Sequence, residues 1–299
     1  MSAVECRMLR PLCALIAFGW LATDPLHSAE QPAIPPTRYD GRTLAEWRER
    51  ISRIDYKSPE VGREVPGLLA IARDRTAPWF SRRQAALTLG RIGEPAKIAI
   101  PELVQLLDEP SEIPEQSTRL WVIKALALYG PLAADTAPQL VAILEDASGA
   151  PLPRLMALEA LGRIGPAQPL ALPAITRALD EGLATAASAD ARERAVGAAE
   201  VLELFRGQGP ATPSLIRATA AHDVLLRRAA ANTLGQIGPL AEPAVPPLAD
   251  LVIFDESHEV RDLAARAAGL HGAPPSLCSC NYSKMPTPKC VRGRRPAGN

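Results

Sequence analysis

Few side chains in this sequence belong to the types that carry chemistry, and their spacing argues against most of it. His258 stands beside Glu259 and His222 beside Asp223, and no further His–Glu pair accompanies them. A dinuclear metal site on helices needs several such pairs facing one another. Cys278, Cys280 and Cys290 with His271 supply four zinc-type donors, but their spacing fits no common finger. There is no Cys-x-x-Cys-His, no glycine-rich phosphate loop after a strand and no Gly-x-Ser-x-Gly elbow. The expectation is a protein with no catalytic residue, no metal and no cofactor.

One residue type recurs with a period instead. Arg82, Arg119, Arg154, Arg194, Arg227 and Arg261 are separated by 37, 35, 40, 33 and 34 residues. Each is read as the second residue of a similar window: SRRQAALTLGRIG at 81–93, TRLWVIKALALYG at 118–130, PRLMALEALGRIG at 153–165, ERAVGAAEVLELF at 193–205, LRRAAANTLGQIG at 226–238 and VRDLAARAAGLHG at 260–272. On a helical wheel this arginine falls inside the apolar arc, where an unpaired charge is too costly to keep. Candidate partners are the aspartates Asp74, Asp108, Asp146, Asp180 and Asp255, which close the shorter apolar segment before a window. We therefore expect a structural ladder between successive repeats, with Arg119 on Asp108 or Asp146 and Arg154 on Asp146 or Asp180. The alternative is a row of arginines that binds a ligand.

The elements that must position these side chains follow from the same period. The shorter segments open with Pro66, Pro101, Pro138, Pro173, Pro213 and Pro246. Proline suits the first helical turn, where its missing N–H would be unpaired in any case. The window forms a longer helix closed, in five of six copies, by glycine. Its apolar arc is wide and rich in small residues such as Ala85, Ala86, Ala230 and Ala231. No single hairpin could bury that arc alone, so the stack is the folding unit. The fold class read here is all-α: an α-solenoid, a right-handed superhelix of about six helical hairpins.

The array resembles HEAT repeats, in particular the bacterial HEAT-like variety of the PBS-lyase type, with the pattern V-R-x-x-A-A-x-A-L-G-x-I-G. The likeness runs over residues 66–272, about two thirds of the chain. It implies the solenoid fold and is poorly specific for function. The window at 118 is bulkier than the pattern, the window at 193 ends in Phe205 where glycine belongs, and an Ala-rich loop is expected at 180–190. The single His258–Glu259 pair falls short of what a HEAT-repeat hydroxylase resembling deoxyhypusine hydroxylase requires.

The remaining segments divide the chain. Residues 1–29 read as a secretory signal, with Arg7 and Arg10 before a short apolar run at 12–21; Met8 offers a second start. Residues 30–58 read as a proline-rich linker and an N-terminal capping helix. There Thr43 and Glu46 make a capping box, and Leu44, Trp47, Ile51 and Ile54 share one face. Residues 59–272 hold the solenoid, and 273–299 read as a disordered basic tail. Between residues 14 and 277 there is no cysteine, so the core does not depend on disulfides.

Across 299 residues, 33 basic groups balance 33 acidic ones, which gives no field to steer nucleic acid. At 4% aromatic content and 30 prolines, β-sandwich architectures are disfavoured. Function is then expected on the solvent side of the longer helices, where Trp121, Lys124, Leu128, Met156, Arg163 and Arg228 are candidate partner contacts and Trp121, Leu128 and Met156 an apolar patch. Trp79, in the loop 76–80, is read as a plug between two helices, with a second surface anchor as the alternative. The expectation is an exported, monomeric, non-enzymatic scaffold for an unknown protein partner, binding no nucleic acid and holding no transmembrane segment once mature. The alternatives are a HEAT-like lyase or enzyme subunit acting on a tetrapyrrole chromophore protein, and a cell-envelope structural protein.

Overall fold

The computed structural model describes residues 37–109, 117–147, 149–166, 168–185, 188–206 and 209–270. The expected signal segment, most of the linker and the expected basic tail with its three cysteines lie outside the described residues. Within them the chain is an α-solenoid of six helical hairpins, preceded by a short β-hairpin and a capping helix, α1 (Leu44–Ser52). The hairpins pair α2 (Val65–Arg73) with α3 (Trp79–Ile92), α4 (Ile100–Gln105) with α5 (Thr118–Tyr129), and α6 (Ala137–Glu145) with α7 (Pro151–Ile164). They continue as α8 (Ala171–Ala184) with α9 (Ala189–Val201), α10 (Thr212–Thr219) with α11 (Val224–Ile237), and α12 (Val245–Phe254) with α13 (His258–Leu270).

The second helices of the hairpins, α3, α5, α7, α9, α11 and α13, stack each on the next, and the first helices flank them on one side. We call these rows B and A. Proline occupies the first turn of α2, α4, α6, α10 and α12. Four B helices close on a glycine with positive φ: Gly93, Gly130, Gly165 and Gly238. That backbone region excludes side chains, so the chain can turn there into the next hairpin. The turn at Gly238 also divides 224–254, the one stretch among the described residues long and apolar enough to cross a membrane, into α11 and α12 of successive hairpins.

Row B is held close by small residues. A Cβ on Gly90 would lie 2.7 Å from the Ala125 carbonyl, and one on Gly235 would lie 3.1 Å from the Ala267 Cβ. Gly162 makes the equivalent approach to Val201, at 2.4 Å. Ala125 and Ala267 are the eighth residues of their windows, so Val201 must be the eighth of its own. The fourth window therefore starts at Arg194, one residue later than its sequence suggests. The shift aligns Ala198, Ala199, Leu202 and Phe205, all buried, with Ala230, Ala231, Leu234 and Ile237. It also removes Arg194 from the arginine row, because the buried Ala195 takes its place. The loop expected at 180–190 is shorter too: α8 runs on through Ala184, since alanine favours helix over loop.

The N-terminal end is closed by α1. Thr43 Oγ1 accepts from the Glu46 amide at 3.3 Å, and the Glu46 carboxylate accepts from the Thr43 amide at 2.6 Å, completing the capping box. Trp47, 1% exposed, donates from Nε1 to the Tyr39 carbonyl at 2.8 Å and lies against Gly67 of α2. Tyr39 is presented by the β-hairpin Arg38–Tyr39/Arg42–Thr43, whose Asp40–Gly41 turn has positive φ at both residues. Asp-Gly is the usual residue pair for such a two-residue turn.

Candidate interaction surface

Five arginines of the periodic row share one contact, and it is not with a carboxylate. Each caps the backbone where the A helix of its own hairpin ends. Arg82 donates to the Ala72 carbonyl at 3.0 Å, Arg119 to Leu107 at 2.8 Å and Arg154 to Leu144 at 3.2 Å. Arg227 donates to Ala221 and His222 at 2.9 and 2.8 Å, and Arg261 to Asp255 and Glu256 at 2.7 and 3.2 Å. For Arg82, Arg119 and Arg154 the acceptor lies at the helix end, where carbonyls lack a partner and the dipole is negative, while for Arg227 and Arg261 it lies in the loop just past it.

Three of the five also reach a carboxylate of the following hairpin. Arg82 donates to Glu109 at 2.5 Å, Arg154 to Asp190 at 3.4 Å and Arg227 to Asp255 at 2.6 and 3.2 Å. The expected partners Asp108, Asp146 and Asp180 are not the ones used in these three bonds. Asp108 is exposed, Asp146 accepts from the Gly149 amide at 3.1 Å, and Asp180 accepts from Arg217 of α10 at 2.6 Å. The arginine sits in the first turn of helix B, and stacking B on B brings the next A–B loop beside it. The last turn of the A helix instead faces other A helices, where Arg73–Glu102 at 3.0 Å, Arg177–Glu145 and Arg217–Asp180 form an outer row of ion pairs. Burial opposes ionisation of Glu109, but Arg82, with Arg75 and Thr118, outweighs it and holds the carboxyl below its ordinary range.

The fourth hairpin departs from this pattern. Arg194 pairs with Asp190 of its own helix at 3.7 Å, and Asp190 is shared with Arg154. Arg194 Nε and Asp190 Oδ1 are buried without a hydrogen-bond partner.

The candidate contact residues divide between surface and structure. Lys124 and Leu128 are exposed on α5, and Trp121 is half-buried beside them. Met156, on α7, is half-buried like Trp121 and packs against the core. Arg163 is exposed and bridged to Glu159 at 2.9 Å, while Arg228 is half-buried between Glu200 at 3.6 Å and Glu259 at 3.4 Å.

The apolar cluster runs toward the N-terminal end. Trp79 opens α3 and stacks on Trp121 across the boundary between the first two hairpins, with ring centres 6.3 Å apart and planes 20° from parallel. Phe80 meets Trp79 edge to face at 6.2 Å. Arg83 lies 4.0 Å from the Trp121 ring centre and Arg48 of α1 lies 5.3 Å from that of Phe80. Trp79 and Phe80 remain 38% and 42% exposed, so Trp79 does not plug a helix interface. No single-window pattern reveals this pair, because Trp79 precedes its window and Trp121 is the fourth residue of the next.

Among the described residues no three or more His, Cys, Asp or Glu side chains gather as metal ligands. A family model described as PBS lyase HEAT-like repeat matches residues 81–109, which hold most of α3 and all of α4, and residues 226–253, which hold most of α11 and α12. No curated protein matches the chain. Among solved structures, an engineered protein from a structural genomics consortium is 20% identical, with a TM-score of 0.47 over 70% of this chain and 97% of its own. A second is 18% identical, with a TM-score of 0.47 over 78% of this chain and 65% of its own. The complex of CpcE and CpcF of phycocyanin lyase from Nostoc sp. PCC7120 is 22% identical, with a TM-score of 0.38 over 87% of this chain and 99% of its own.

Proposed function

We propose that this HEAT-like repeat protein is a non-enzymatic scaffold that captures a protein partner on its B-helix face, centred on α3 and α5. One observation carries the proposal: the Trp79–Trp121 stack, flanked by exposed Phe80 and Leu128 and topped by Arg83. Partly exposed tryptophan and arginine on a rigid helical platform are the residue types that dominate binding energy at protein interfaces. Rigid repeats keep the ordering cost of association low. Export to the periplasm or envelope belongs to the same proposal, supported by Arg7, Arg10 and the apolar run at 12–21.

The test is capture from the exported fraction on the immobilised full chain, repeated with Trp79→Ala/Trp121→Ala. Loss of the retained protein is expected, and retention unaffected by both changes refutes this choice of face. A second function, an enzyme subunit handling a tetrapyrrole on a carrier protein, is favoured only by the description of the matching family model. Its signature is a shift in bilin absorbance on mixing with the chain.

A further inference from the structure

We infer that the partner segment seated on α3, α5 and α7 is acidic and carries an aromatic or aliphatic anchor. The inference deepens the proposed function and rests on it. Along the B face the charges separate by length. On α3, α5 and α7 the face presents Arg83, Arg91, Lys124 and Arg163 against Glu159 alone. Glu159 is already bridged to Arg163, whereas Arg83, Arg91 and Lys124 make no ion pair among the described residues. From α9 onward acids outnumber bases: Glu193, Glu200, Glu203, Glu259 and Asp262 stand against Arg206, Arg228 and Arg266, with Glu203 bridged to Arg206 at 3.5 Å. Arg228 is held there by Glu200 and Glu259, and Glu203 accepts from Asn232 at 2.9 Å.

An acidic chain is thus attracted at one end of the face and repelled at the other, which fixes where it lies. A guanidinium lying over an aromatic ring can still donate from its edge N–H groups, so Arg83 on Trp121 and Arg48 on Phe80 can hold carboxylates there. The exposed faces of Trp79, Phe80 and Leu128 provide the contact for an apolar side chain between those carboxylates.

The test titrates the full chain with the synthetic peptide Glu-Glu-Phe-Glu-Glu-Phe, and with its Lys-for-Glu counterpart, following tryptophan fluorescence at low and raised salt. We expect binding of the acidic peptide, weakened by salt, and weakened about tenfold or more by Arg91→Glu/Lys124→Glu. The control Glu193→Lys/Asp262→Lys should leave it unchanged within about twofold, since these acids lie on the other half. The inference is overturned if the acidic peptide does not bind, if both peptides bind alike, or if both double variants lose affinity equally. Should the natural partner be lost with Trp79→Ala/Trp121→Ala yet ignore Arg91→Glu/Lys124→Glu, the face stands and its acidic occupant falls. If the partner ignores all four changes, the proposed face itself fails.

Discussion

Arg227 and Asp255 belong to different hairpins and join them through a two-point bond, Nε to Oδ2 at 2.6 Å and Nη2 to Oδ1 at 3.2 Å. Only 10% and 2% of their side chains are exposed. The hydrogen bonds that Arg227 donates to Asp255 outweigh burial and hold the guanidinium more firmly protonated than usual. Without Asp255, Arg227 keeps only two backbone carbonyls and Glu256 at 3.4 Å, so Asp255→Ala should destabilise the protein by about 2 kcal/mol. Asp108→Ala, on an exposed side chain, should cost about 0.5 kcal/mol or less. Thermal and urea midpoints of the two variants check the contrast, and equal losses would show that the joint is wrongly assigned.

Trp47 depends on a missing Cβ. A methyl group on Gly67 would fall 2.0 Å from Cζ2 of the indole. Alanine gains about 1 kcal/mol of helix propensity over glycine, while overpacking a buried site costs about 1–3 kcal/mol. With an overlap this deep the clash wins. Gly67→Ala should drive Trp47 from its site, breaking its bond to the Tyr39 carbonyl, with a red-shifted tryptophan emission as the readout.

Tyr39 donates to Asp74 at 2.5 Å, and both groups titrate abnormally. Burial, then the bond to Asp74, pushes the Tyr39 phenol from 10.0 up to about 12. The bond from Tyr39, then that from Thr76, holds the Asp74 carboxyl below 3.8. A raised folded pKa means that the phenol's contribution is complete below pH 10.0 and lost as pH climbs toward about 12. A depressed one means that Asp74 contributes fully above pH 3.8 and loses that contribution on further acidification. Tyr39→Phe should therefore flatten the alkaline arm of the stability curve between pH 10.0 and about 12, measured by thermal midpoints across that range.

Much of this was legible in the letters because a solenoid repeats its own grammar. Six proline-led segments and five glycine-closed windows mark the hairpins, and Thr43 with Glu46 marks the start of α1. What the letters conceal has physical reasons. The partners of Arg82, Arg119 and Arg154 include backbone carbonyls, which every residue carries and no residue type announces. The fourth window offers two registers: started at Glu193 it keeps arginine second, and started at Arg194 it aligns Ala198, Ala199 and Leu202 with the other windows, the register that the approach of Gly162 to Val201 requires. Trp79 and Trp121 meet because two helices stack, not because of their own positions in a window. The Asp40–Gly41 pair is a turn signal, but each strand beside it has only two residues, too few for an alternating pattern to show.

Trp79→Ala should separate stability from capture. An aromatic pair of this kind contributes about 1 kcal/mol beyond its burial, and the Trp79 ring is already 38% exposed. The melting temperature should fall by only a few degrees, while retention of the partner disappears. A large loss of stability with capture intact would make Trp79 a packing residue.

The joint between α7 and α9 is the sparsest in row B. There the fourth hairpin is out of step, Asp190 divides itself between two arginines, and Arg206 stands where a closing glycine would be. Pulled from its two ends, the molecule should therefore not stretch evenly like a uniform spring. It should part first at that joint, leaving three coils on either side, so a load borne along the chain would be felt at the middle before either end yields.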